Sequence, residues 1–257
     1  MIEEKTKIIL FLSNKGGTGK STMLANIAYL FSTHYNKKVG VIDMDFYNPD
    51  LPSIFGVENR KMGIQNKKLL PVKILSNLYL ASYGFFLTDK KLPVILRGVQ
   101  EKLITEQFVV DTDWSDFDYI FVDFPASFSD GGLTLVDRIK RIDGALIITS
   151  SQDITLIDTE RSIIFANQYN IPIIGVVENM INIVCPNCKS VLELYRRESL
   201  ENLLSIYNVE IIERIPFDRN LLVSVDLGIP FIEKFKDSQF IEHFKRIGDK
   251  IIEKVKR

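Results

Sequence analysis

The run Lys15-Gly16-Gly17-Thr18-Gly19-Lys20-Ser21-Thr22 constrains this chain more than any other stretch. It follows the apolar run Ile8 to Leu12 and precedes a helical pattern that begins near Met23. Strand, glycine loop, helix is the setting in which such a run binds phosphate. Glycines at these positions allow backbone conformations closed to other residues, so successive N–H groups can line a cradle for phosphate oxygens. A helix starting near Lys20 adds the positive end of its dipole. Gly16, Gly17, Thr18, Gly19 and Thr22 then surround the phosphates of a nucleotide. Lys20 reaches the β- and γ-phosphates, and the Ser21 hydroxyl ligates Mg²⁺.

The usual pattern has glycine where this chain has Asn14, and a second lysine, Lys15, stands five residues ahead of Lys20. This variant resembles the deviant phosphate loop of the nitrogenase iron protein, MinD and ParA ATPases. In those families the extra lysine reaches across a dimer interface to the partner's nucleotide, and the resemblance implies that role for Lys15.

Apolar runs alternate with helical patterns along the whole chain. Strands are expected at 8–13, 39–43, 119–123, 144–149, 172–178 and 209–215. Helices are expected near 20–34, 94–109, 155–168, 195–206 and 237–256. Several strands are unbroken Ile/Val/Leu/Phe runs, as required where both faces of a parallel sheet are covered. The fold class is therefore α/β, with helices on both faces of a mostly parallel sheet. No repeat, low-complexity tract or linker divides residues 1–257, so one domain is expected. Between 57 and 93 the runs Leu69–Ile74 and Leu78–Tyr83 read as two short strands or a packed loop. An apolar fraction of 46% with 25% charged residues is that of a soluble globular protein. Net charge is −1, so nucleic acid is not an expected partner. The acidic start Met1 to Lys7 does not read as a secretory signal, and no run approaches the ~20 apolar residues of a membrane span. A cytoplasmic protein without membrane attachment is expected.

Two strands end in acids. Val41-Ile42-Asp43-Met44-Asp45 delivers two carboxylates to the carboxyl end of the second strand, where open α/β sheets bind ligands. Tyr119-Ile120-Phe121-Val122-Asp123 is an apolar run ending in an acid, as a Walker B position requires for contact with Mg²⁺ through water. Strand-end aspartates also form turns and caps. Beside a phosphate loop, Asp45 and Asp123 are candidate catalytic residues with Lys15 and Lys20, and Asp43 is the lesser of its pair.

The chain has two cysteines, in Cys185-Pro186-Asn187-Cys188. Pro186 fixes one φ and Asn187 tolerates turn geometry, so both sulfurs can face one side. Structural zinc or a 4Fe-4S cluster takes four ligands, and this pair supplies two. A second subunit is the simplest source of the rest. A redox dithiol and inert thiols stay open as alternatives.

Longer stretches carry a specific resemblance. Asp43-Met44-Asp45-Phe46-Tyr47-Asn48-Pro49-Asp50-Leu51-Pro52 resembles the D-x-D-x-Y-G-P-S-x-P segment of the Mrp/ApbC family. Leu96-Arg97-Gly98, Trp114, Asp118 to Pro125, Thr149 to Gln152, Gly175 to Met180, the Cys-Pro-x-Cys, Ile215 to Asp218 and Gly228 to Pro230 fall where that family has its own motifs. The resemblance spans nearly the whole chain. It implies a P-loop NTPase of SIMIBI type: a homodimeric, ATP-binding carrier that delivers 4Fe-4S clusters to apo iron–sulfur proteins, with the cluster between the two Cys-Pro-x-Cys pairs. It implies that Asp45 is the switch I acid near the attacking water, Asp123 the Walker B acid and Asn179 an adenine contact, with Pro216 in the nucleotide site.

Two departures from the family matter. Its second switch reads D-L-P-P-G-T-G-D, where this chain has Asp123-Phe124-Pro125-Ala126-Ser127-Phe128-Ser129-Asp130. Serines restrict φ where the family has glycine, so slow ATP hydrolysis is expected. In switch I the family's glycine is Asn48. Many relatives carry an N-terminal extension, and with a strand by residue 8 none is expected here.

The last helical pattern places Phe240, Ile241, Phe244, Ile247, Ile251, Ile252 and Val255 at helical spacing near Lys250, Lys254, Lys256 and Arg257. Docking on its own domain is expected; a basic amphipathic helix of MinD type lying on a membrane is the rival. The rival to the carrier as a whole is a ParA/MinD-like positioning switch without a cluster. A dimer with structural Zn²⁺ at Cys185 and Cys188 is a third reading, because thiolates suit both metals.

Overall fold

The computed structural model describes residues 2–87, 89, 92–150, 152–185, 187–188, 190–193 and 198–256. In chain order its elements are β1 (Lys7–Leu12), α1 (Lys20–Thr33), β2 (Val39–Asp43), α2 (Leu51–Ile54), β3 (Gly63–Gln65), β4 (Lys68–Leu70), β5 (Val72–Lys73), β6 (Leu78–Ser82), α3 (Gly98–Glu106), β7 (Tyr119–Asp123), α4 (Asp130–Arg138), β8 (Gly144–Thr149), α5 (Asp153–Gln168), β9 (Ile173–Val184), β10 (Val191–Glu193), α6 (Glu198–Tyr207), β11 (Ile211–Phe217), α7 (Arg219–Asp226), α8 (Phe231–Lys234) and α9 (Ile241–Val255). The strands run in the order β10-β9-β8-β1-β7-β2-β6-β5, with β11 also on β9. Pairing is parallel except at β5 and β10, so the expected mostly parallel sheet is the one observed.

Alternation along the central strands divides the core in two. Ile9 and Phe11 of β1, Val41 of β2 and Phe121 of β7 face α1 and α9; Ile8, Leu10, Leu12, Ile120 and Val122 face a second cluster that takes in Leu135, Ile163 and Leu204. Each strand is buried on both faces, which is why its sequence is apolar throughout. Helix α1 is apolar on nearly every side because the sheet holds one flank and α9 another. Phe244, Ile247, Ile251 and Val255 of α9 are buried in this layer. The apolar face that a membrane would need is thus taken by the protein itself. Among the described residues no helix is long and apolar enough to cross a membrane.

Several boundaries differ from the sequence reading. The run Leu78–Tyr83 does form a strand, and β6 adds in parallel to β2; Leu69–Ile74 splits into β4 and β5, of which β4 pairs outside the main sheet. The helix expected at 94–109 begins only at Gly98 and passes at Gln107 into a wider turn through Asp111. Strand β9 continues six residues past 178 because β11 and β10 pair with its extension. The helix expected from 195 is described from Glu198. Helix α4 was not anticipated, since its two glycines at 131 and 132 disguise it.

Candidate functional site

The carboxyl ends of β1, β2, β7 and β8 bring the phosphate loop, the acids of β2, Asp123 and the Gln152 loop to one edge of the sheet. In the loop, Gly17 and Gly19 have φ of 83° and 86°. Space is open where a Cβ at Gly16 or Gly17 would stand. At Gly19 a Cβ would lie 2.5 Å from Asn179 Nδ2. Conformation and packing therefore both demand glycine there. Ser13 and Thr18 share a hydrogen bond of 2.8 Å that closes the base of the loop.

Asp123 gathers the next two residues of the motif. Its carboxylate is buried and pairs with the Lys20 ammonium, and it accepts a hydrogen bond of 2.6 Å from Ser21 Oγ. A hydroxyl and a carboxylate held together beside an ammonium and an open glycine cradle form a donor set that fits Mg²⁺ and a polyphosphate. Asp43 lies beside Asp123 in the β2–β7 register and is equally buried. Burial, then the charge of Asp123, push its carboxyl well above the usual range, against the hydrogen bond of 2.7 Å donated by Ser82 Oγ. Asp45 is half-buried. Burial raises its pKa, and the Asn48 N–H at 3.1 Å and the Lys20 charge pull the other way.

The remaining predicted residues lie as follows. Lys15 is half-buried and its Nζ donates to Gln152 Oε1 of the same chain at 3.3 Å. Thr22 is half-buried on the first turn of α1. Asn179, buried on β9, donates through Nδ2 to the Thr18 carbonyl at 2.8 Å, so it touches the phosphate loop directly. Pro216 sits at an irregularity in the β11–β9 pairing, where the lack of an N–H costs no ladder bond.

The cysteines lie past the end of β9, the strand that bears Asn179. Cys185 and Ser190 stand where β9 gives way to β10, and the Cys185 N–H donates to the Ser190 carbonyl at 2.9 Å. Cys185 is half-buried and Cys188 exposed, with Cys188 Sγ 3.1 Å from Ser190 Oγ. Pro186, expected to set the turn, lies outside the described residues. Hydrogen bonds from the Ser190 side chain and backbone, then from Cys185, lower the Cys188 thiol to about 7. Among the described residues no group of three His, Cys, Asp or Glu side chains could hold a metal ion.

Residues 4–252 match the family model of the NUBPL iron-transfer P-loop NTPases, within ParA. The chain belongs to this family. It is 38% identical to an iron-sulfur cluster carrier protein of Methanocaldococcus jannaschii, over 99% of this chain and 87% of the relative. It is 35% identical to a cytosolic Fe-S cluster assembly factor NUBP1 homolog of Caenorhabditis elegans, over 95% of this chain and 79% of that one. Among solved structures it resembles a nucleotide-binding protein of Archaeoglobus fulgidus in complex with ADP, with a TM-score of 0.77 and 30% identity over 93% of this chain and 91% of the other. The septum site-determining protein MinD of Pyrococcus horikoshii has a TM-score of 0.67 at 18% identity, over 96% of each chain, a likeness of fold alone.

Sequence reasoning missed two residues of this NTPase site. Glu101 is buried on α3 and bonded to both the Asp45 loop and the start of α4. Tyr47 was noted only as part of a motif, and its hydroxyl is what reaches Glu101. A glutamate in an amphipathic helix carries no local sign of such partners. Ser129, taken as a substitution for glycine, caps α4 by accepting from Gly132 N at 3.4 Å.

Proposed function

We propose that this chain is a cytosolic, homodimeric ATP-binding carrier of 4Fe-4S clusters, working as one domain from 1 to 257 and handing its cargo to apo iron–sulfur proteins. The observation that carries the reading is the position of Cys185 and Cys188. They occupy the exposed turn of a hairpin that continues the strand bearing Asn179. Two thiolates per chain make half of a four-ligand site, and a second copy supplies the other half. The names of the relatives and the family model support iron–sulfur cargo over structural zinc.

In this reading Gly16, Gly17, Thr18, Gly19 and Thr22 bind the phosphates, with Asn179 and Pro216 toward the base. Ser21 would ligate Mg²⁺ and Asp123 would contact it through water, and the ion would neutralise charge developing on the phosphates. Lys20 draws charge from the γ-phosphate, and Asp45 orients the attacking water, its raised pKa suiting it to accept a proton. Lys15, half-buried beside Gln152, turns toward the partner's nucleotide in the dimer. Turnover is slow, well below the median enzyme rate of about 10 s⁻¹.

Anaerobic reconstitution with iron and sulfide tests this, comparing wild type with a Cys185→Ser/Cys188→Ser variant. The expected result is about four irons per dimer in the wild type and none in the variant. A protein that stays monomeric and metal-free with and without ATP would overturn the carrier and leave a positioning switch of the MinD kind. Zinc in place of iron would leave only the dimer.

A further inference from the structure

One face of α3 packs against the start of α4 and the segment that follows Asp45. Gly98, Glu101 and Thr105 follow each other at helical spacing, and Phe108 continues the line into the turn beyond. At Gly98 an added Cβ would lie 2.0 Å from Asp130 Oδ2, so the helix start presses on the start of α4. Phe108 packs against Phe46, the neighbour of Asp45, with ring centroids 6.1 Å apart.

Between these contacts lies Glu101, only 6% exposed. One carboxylate oxygen accepts from the Tyr47 hydroxyl and the other from Gly131 N–H at 3.0 Å. Thr105 Oγ1, itself bonded to the Glu101 carbonyl at 2.8 Å, lies 3.3 Å from the Gly131 carbonyl. Gly131 has no room to spare: a Cβ there would stand 3.1 Å from Phe46 and 3.3 Å from Glu101 Oε2. Tyr47 belongs to the turn closed by the Asn48 N–H on Asp45, and Gly131 to the first turn of the helix that ends the Asp123 loop. The two loops that carry the acids of the site therefore meet on one side chain.

Among the described residues Glu101 has no ion-pair partner. A buried carboxylate held by neutral donors alone is a costly device for mere packing. Burial works against its charge, and the bonds from Tyr47, Gly131 and Ser129 overcome that and hold its pKa below the usual value. Charge-assisted bonds of this kind are stronger and more directional than neutral ones. They suit a joint that must transmit movement.

We propose that Glu101 is a positioning residue for nucleotide hydrolysis, clasping Tyr47 of the first switch loop and Gly131 of the second so that the two loops move together. This rests on the ATPase reading above. It makes α3 the mechanical link between Asp45 and Asp123. Loss of either arm uncouples the loops while the phosphate cradle, built from other residues, stays intact.

The test uses Tyr47→Phe, Glu101→Gln and Glu101→Ala in the full chain. Tyr47→Phe removes one arm at a partly exposed position, with little risk to folding. The turnover number is expected to fall about tenfold in Tyr47→Phe, the loss of one charge-assisted hydrogen bond, with the Mg-ATP dissociation constant unchanged. Glu101→Gln should match it, Glu101→Ala should fall further, and Tyr47→Phe/Glu101→Ala should be no worse than Glu101→Ala alone. Hydrogen exchange supplies a second readout, independent of turnover. In Tyr47→Phe, amides 129–133 should exchange faster although Tyr47 makes its bond to Glu101 rather than to them. Unchanged exchange there overturns the clasp, and faster exchange with unchanged turnover overturns its role in hydrolysis. A wild type that hydrolyses no ATP removes the ATPase reading, and the exchange experiment still decides whether the clasp exists.

Discussion

The phosphate edge and the cysteine hairpin are built on opposite plans. At the phosphate edge almost every functional side chain is tied to another within the chain: Lys20 and Ser21 to Asp123, Asn179 to Thr18, Tyr47 and Gly131 to Glu101. The hairpin is three residues deep on its short strand, and Val184, Val191 and Leu192 beside the cysteines are 44%, 56% and 62% exposed. Ties within one chain let the phosphate loop and its acids be preorganised by burial. The hairpin leaves Cys188, part of Cys185 and some apolar surface uncovered, as the proposed completion by a second copy requires.

That contrast can be broken most easily at Lys20. Lys20→Ala is expected to weaken Mg-ATP binding about a hundredfold or more, because several charge-assisted contacts to the phosphates go at once. Iron uptake by the cysteine pair should survive, since among the described residues the Lys20 ammonium is tied to Asp123 and not to the hairpin. Equilibrium dialysis with ATP and iron analysis of the same preparation check both halves. An unchanged ATP affinity would remove Lys20 from the site.

A smaller effect sharpens the role of packing at the same edge. Gly19→Ala places a methyl group against Asn179 Nδ2 in a backbone region closed to alanine. ATP affinity should drop about tenfold, as expected for roughly 1–2 kcal/mol of strain. Adding Asn179→Ala should not restore it, because the φ of 86° stays and the bond from Asn179 to the Thr18 carbonyl goes as well. Full recovery would mean that the clash alone matters.

At the hairpin, exposure predicts ready chemistry. With the Cys188 thiol lowered to about 7, alkylation of the metal-free protein should rise through a midpoint near neutrality. Ser190→Ala should move that midpoint up, because it removes the largest of the bonds that hold the pKa down. A midpoint that does not move in Ser190→Ala would show that the turn backbone acts without the hydroxyl.

The smallest effect lies where α9 meets β11. Glu213 bonds His243 at 2.7 Å and Arg246 at 2.6 Å. Burial raises its pKa, but His243 and then Arg246 reverse this and bring it to about 2. A depressed folded pKa means that the stability is present above the ordinary carboxylate value and is lost as pH falls toward about 2. Glu213→Gln should cost roughly 1–2 kcal/mol at neutral pH and flatten the acid limb of a denaturation series. Both ATP and iron binding should stay as in the wild type.

Local chemistry made much of this protein legible before any coordinates. Glycines at 16, 17 and 19, the lysine after them and apolar strands ending in acids are short-range signals, since each follows from what one backbone segment can do. The same holds for the paired cysteines and for the apolar spacing of α9. Tertiary structure alone decided the rest. Helix α4 escaped because its glycines lower helix propensity, and the packing of Leu135 and the cap of Ser129 outweigh them. The extension of β9 depends on β10 and β11, which come from other parts of the chain. Glu101 is the clearest case. It is a helical glutamate by sequence, and its function is set by Tyr47 and Gly131, 54 and 30 residues away, because hydrogen bonds follow distance in space rather than along the chain.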